Sequence, residues 1–102
     1  MIVCTTWKGR PLSPEQSKRL MDVWAKLEAK DAANPTGERL CWYLNVDGSG
    51  GFQVARVDDI DAALVAGLES ALALSEFLEF ESRIVLDLDT AMPAIVASME
   101  YS

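Results

Sequence analysis

The chain has 102 residues, half of them hydrophobic and a quarter charged, enough for a single domain over 1–102 with one modest core. Its formal charge of −7 is uneven: residues 1–51 carry seven Lys/Arg against six Asp/Glu, residues 52–102 two against ten. An acidic second half repels phosphate backbones, which argues against nucleic-acid binding, and the lack of any His removes the commonest general base and zinc ligand.

Met1–Lys8 (MIVCTTWK) is β-branched and aromatic and stops at Gly9, the mark of a first strand. Ser13-Pro14-Glu15-Gln16 is a helix start, with Ser13 able to cap, Pro14 suited to the first helical position and Gln16 placed for a capping box. Leu20, Val23, Trp24 and Leu27 then repeat at helical spacing until Asn34-Pro35-Thr36-Gly37 ends the helix.

Glu38–Val46 and Gly51–Val57 read as the second and third strands. The segment between them, NVDGSGGF, has the early spacing of a calcium loop, but Arg56 stands where a bidentate acid is required. A hairpin turn accounts for it better. With Asp47 and Gly51 closing a three-residue loop, Val46 would face Phe52, Leu44 would face Val54, and Asn45 would face Gln53, so that like meets like.

Asp58-Asp59 offers caps for a second helix, along which Ile60, Leu64, Gly67, Leu68, Ala71 and Leu72 share a face. The Asp58-Asp59-Asp61 cluster suits the helix dipole better than a metal. Glu79–Leu88 alternates as a fourth strand, with Phe80, Ile84, Leu86 and Leu88 on one side and Glu79, Glu81, Arg83 and Asp87 on the other. Met92, Ile95, Val96 and Met99 then mark a short C-terminal helix.

The order βαββαβ plus a tail predicts an α+β ferredoxin-like two-layer sandwich: a four-stranded antiparallel sheet with two helices on one face. The third strand would lie between the first and second. Cys4 and Cys41 would then stand two strand spacings apart, about 9–10 Å, too far for a disulfide. Free thiols, and an N-terminus without a charged region before an apolar run, point to a cytoplasmic protein. No apolar run is long enough for a membrane span.

Asp47-Gly48-Ser49-Gly50-Gly51-Phe52, the Asp58-Asp59 helix start, and Leu78-Glu79-Phe80-Glu81 followed by Val85-Leu86-Asp87 resemble a family of small bacterial domains of unknown function. Those domains are ferredoxin-like and of the dimeric α/β-barrel type, so the resemblance implies a homodimer. A Trp-His pair common in that family is replaced here by Tyr43-Leu44, an aromatic by Leu74 and a proline by Ile84. The implied His chemistry is therefore missing.

The sheet face left open by the helices wants a partner, and a symmetric dimer is the commonest solution. Cys41, Tyr43 and Asn45 share one side of the second strand, and the expected pairing adds Gln53. On the first strand, either Thr5 and Trp7 or Cys4 and Thr6 face the same way. The candidate ligand-binding residues are Trp7, Tyr43, Asn45, Gln53 and Glu81. No catalytic residue, metal site or cofactor is expected. The leading expectation is a homodimeric interaction or accessory protein without catalysis. The alternative is a small-molecule binder, or a cofactor-free oxygenase or isomerase, using a cavity on the open face. A third reading has the acidic half docking a basic protein partner.

Overall fold

The computed structural model describes residues 1–102. Its elements are β1 (Ile2–Lys8), α1 (Pro14–Ala33), β2 (Gly37–Leu44), β3 (Gly50–Val57), α2 (Ile60–Ala73), β4 (Glu79–Val85) and α3 (Leu88–Ser98), closed by a 3-10 turn at Met99–Tyr101. The four strands form one antiparallel sheet in the order β2-β3-β1-β4. β3 lies between β1 and β2, as the split-βαβ motif requires, and the fold is ferredoxin-like.

α1 begins as its sequence directs. The Gln16 amide donates to the Ser13 hydroxyl oxygen at 3.2 Å, and the Ser13 amide donates to Gln16 Oε1 at 3.0 Å. This reciprocal cap contributes about 1 kcal/mol to holding the first turn. Leu20, Val23, Trp24 and Leu27 then turn toward the sheet. Trp24 meets Trp42 of β2 edge-on, with ring centroids 4.9 Å apart. Arg39 stacks over Trp42 at 4.2 Å and donates to Glu28 of α1 at 2.9 Å. Together these contacts fix which face of β2 lies under the helices.

The β2–β3 hairpin differs from the expected one. Tyr43 stands opposite Phe52, Trp42 opposite Gln53 and Cys41 opposite Val54, a slip of three residues. The cause is the turn. It begins at Asn45, whose carbonyl accepts from the Gly48 amide at 3.0 Å, while the Asn45 amide donates to the Gly50 carbonyl at 2.7 Å. Gly48 takes a left-handed φ of 74°, which a side chain would resist. Asp47 Oδ1 accepts from both the amide and the hydroxyl of Ser49, at 2.9 and 2.6 Å. The loop is thus Val46–Ser49, one residue longer than expected and set earlier. Because three is odd, the slip moves Gln53 to the other face from Tyr43. A bulge between Arg39 and Cys41 then inserts one extra residue into β2.

α2 also sits differently. Its inward side is Ile60, Ala63, Ala66, Ala71 and the capping Leu74, whereas Leu64, Leu68 and Leu72 point outward, with Leu72 66% exposed. Asp61 and Glu69 are the only charges on α2, so apolar periodicity has no polar face to set it against. The alanine side, not the leucine stripe, is the one turned inward. The fourth strand ends at Val85 rather than Leu88, because Asp87 accepts from the Thr90 amide at 2.7 Å and starts α3 there.

The core of one chain is small. Val57, Leu74 and Phe77 are the buried apolar side chains. The radius of gyration is 16.5 Å, against about 13 Å for a compact chain of this length. The excess lies along one 56 Å axis of a molecule only 20 Å thick.

Candidate functional site

α1 and α2 cover one face of the sheet, and alternation then assigns the other. Ile2, Cys4 and Thr6 of β1 lie on the open face with Cys41 and Tyr43 of β2, Phe52 and Val54 of β3, and Val85 of β4. This settles the β1 alternative in favour of Cys4 and Thr6. The centre of the face is apolar, and Tyr43 packs on Phe52 with ring centroids 5.6 Å apart. Its rim is charged: Lys8 pairs with Glu79 at 3.6 Å, Arg56 with Glu38 at 3.4 Å, and Arg83 with its strand neighbour Glu81.

At the hairpin end of this face an open groove of about 590 Å³ runs between β3, β1 and β4. Cys4, Thr6, Lys8, Asn45, Phe52 and Glu81 border it. Apolar Phe52 faces a carboxylate, an ammonium, a hydroxyl and an amide, which would suit a small ligand with a flat apolar body and polar edges. Asn45 Nδ2 donates to the Ser49 hydroxyl at 3.3 Å, so the turn holds the amide in place. Both cysteines are free, and both stand beside Val54, one on each flanking strand.

The sequence-predicted residues are therefore partly separated. Asn45 and Glu81 border the groove, and Tyr43 stands beside it against Phe52. Gln53 belongs to the helix-covered face, where its Oε1 accepts from Arg39 Nε at 3.2 Å. Trp7 touches the groove from the strand end, but alternation assigns its ring to the helix side, 6.4 Å from Phe80. Phe52, Thr6 and Lys8 were not among the predicted residues. The correct hairpin register would have found Phe52, since it pairs with Tyr43 and with Thr6.

A second concavity of about 440 Å³ lies at the opposite end, between Ala33–Thr36 and Asp58–Ala62. One of its two acids serves the backbone: Asp59 Oδ1 accepts from the Ala62 amide at 3.1 Å, capping α2. Asp47 and Asp87 are both held below the ordinary carboxylate range, by hydrogen bonds from Ser49 and Thr90 respectively. No helix is long and apolar enough to cross a membrane.

No protein-family model and no curated protein matches the chain. Solved structures do. A protein of Nitrosomonas europaea classed provisionally as an antibiotic biosynthesis monooxygenase superposes with a TM-score of 0.57 at 9% identity, covering 86% of this chain and 99% of that one. SnoaB, a cofactor-independent oxygenase from Streptomyces nogalater, gives 0.55 at 20% identity, covering 84% and 95%. A dimeric ferredoxin-like protein of unknown function from Jannaschia sp. CCS1 gives 0.55 at 16% identity, covering 83% and 100%. At these identities the likeness establishes the fold alone.

Proposed function

We propose that the chain works as a homodimer in which a second copy covers the open sheet face, and that it acts as an interaction or accessory module. One observation carries this reading: Cys4, Tyr43, Phe52, Val54 and Val85 form an apolar sheet face that neither α1 nor α2 covers. A chain with three buried apolar side chains has little core of its own, and covering this face would add a second one. A two-fold dimer is the simplest closed solution, because the same patch serves both copies. The dimeric ferredoxin-like neighbour supports the reading by analogy of fold. A reducing cytoplasm is the matching compartment, since it keeps Cys4 and Cys41 as thiols. Sedimentation of the intact chain tests the assembly: a dimer supports it, and a monomer at micromolar concentration overturns it.

The groove beside Phe52 favours a second reading, in which the dimer binds a small, partly aromatic molecule between Phe52, Asn45 and Glu81. A catalytic version of this, cofactor-free oxygen chemistry of the kind named for SnoaB, draws support from the fold only. Native mass spectrometry of protein taken directly from cells is the test. A bound small molecule that Phe52→Ala fails to retain supports this reading, and protein of unliganded mass counts against it.

A further inference from the structure

We infer, resting on the dimer proposed above, that Cys4 and Cys41 make its assembly redox-sensitive. Capped by a small-molecule disulfide such as glutathione disulfide, they keep the chain apart from its second copy. Both thiols are free and half-buried, and Val54 stands between them, so β2, β3 and β1 carry them in one row of the open face. That row is central. Tyr43, Phe52 and Thr6 lie along the strands to one side of it, Arg56 and Ile2 to the other. A copy that covers Tyr43 and Phe52 must therefore cover Cys4 as well. In the single chain Cys4 is reachable, because it borders the open groove.

Geometry leaves these thiols no partner in the protein. A disulfide needs Cα atoms within about 7 Å. Within the chain, Cys4 and Cys41 are separated by β3, two strand spacings or about 9–10 Å. Across the dimer, two sheets packed face to face stand about 10 Å apart, so a thiol of one copy does not reach one of the other without backbone movement. An oxidant therefore cannot lock this face shut; it can only cap it. In the dissociated chain the sulfur of Cys4 or Cys41 attacks one sulfur of glutathione disulfide. A new S–S bond forms, the reagent's own S–S bond breaks, and its other half leaves as glutathione with the proton of the protein thiol. The tripeptide left on the strand stands in the layer that the second sheet must fill, and its carboxylates would lose their water there. Excess small thiol reverses the exchange and frees the face again.

Sedimentation of the full chain with and without glutathione disulfide is the test, with intact mass to follow capping. Capped chain should sediment at one chain mass at a concentration where untreated chain is a dimer. It should keep its far-ultraviolet circular dichroism and return to the dimer when dithiothreitol is added. Capping should slow as protein concentration rises through the range of assembly, because the dimer hides the thiols. The double variant Cys4→Ser, Cys41→Ser should take up no glutathione and stay dimeric beside the reagent. A capped chain that remains a dimer overturns the switch and leaves the dimer standing. So does a disulfide within or between chains, a capping rate indifferent to protein concentration, a chain that takes no cap even when dilute, a capped chain that has unfolded, or a double variant that the reagent dissociates. Sedimentation of the untreated chain as a monomer would overturn the dimer and the switch together.

Discussion

Tyr43 stands directly opposite Phe52 across the β2–β3 ladder, ring against ring at 5.6 Å, and both project from the face that no helix covers. Phe52 is 39% exposed in the single chain, so replacing it disturbs little of the monomer. Phe52→Asp should leave the far-ultraviolet circular dichroism unchanged while placing an unpaired carboxylate in the covered face, which is costly once water is excluded. The dimer should weaken at least tenfold. A Phe52→Asp protein with wild-type association would place the interface elsewhere.

Trp24 couples α1 to β2 through its edge contact with Trp42, and its indole N–H donates to Glu28 Oε1 at 3.0 Å. The same Glu28 oxygen accepts from Arg39, so one carboxylate ties the helix to the strand. Removing the indole leaves a gap under a half-buried helix. Trp24→Ala should lower stability by roughly 2–3 kcal/mol, less than a fully buried aromatic costs. Urea unfolding measures it, and a change below about 0.5 kcal/mol would mean that α1 is held by other contacts.

Two glycines should respond to alanine with opposite signs. A Cβ on Gly51 would sit 2.2 Å from the Tyr43 carbonyl oxygen and 2.7 Å from Trp7 Cζ2, so the ladder must shift. Gly51→Ala should destabilise by about 2 kcal/mol. A Cβ on Gly67 meets nothing within 4 Å, in mid-α2. Gly67→Ala should stabilise by about 0.5–1 kcal/mol through helix propensity. Thermal melts of the two variants should move in opposite directions.

Acid should loosen two local structures. The Asp47 carboxylate is held below its ordinary value of 3.8 by Ser49, and the Asp87 carboxylate is held below the same value by Thr90. A depressed folded pKa means that each bond's contribution is fully present above about pH 3.8 and is lost as the pH falls through the lowered value. The Ser49 and Thr90 amide resonances should therefore titrate with midpoints below 3.8. Midpoints at or above that value would show that the two caps are not formed in solution.

The strand and helix order was legible because each element carries its own local instructions: the Ser13 capping box, the period of Leu20–Leu27, and the alternation of Glu79–Val85. What escaped was decided between elements. Apolar matching pairs Val46 with Phe52, yet Asn45 starts the turn and Val46 ends fully exposed at its tip. Local turn chemistry at Asn45, Asp47 and Gly48 outweighed apolar matching, and it separated Gln53 from Tyr43. On α2, ten apolar residues stand against two charges, so periodicity could not choose a side, and it is the alanine side that turns inward. The candidate site suffered most, because membership of a sheet face depends on register, and one odd slip exchanges every residue between faces.

In the proposed dimer a second copy of this chain covers the Tyr43–Phe52 face. Sedimentation equilibrium of the intact protein, followed down through micromolar concentration, tests it most directly. A single species of twice the chain mass, dissociating only on further dilution, is the expected result. A species of one chain mass throughout that range would contradict it.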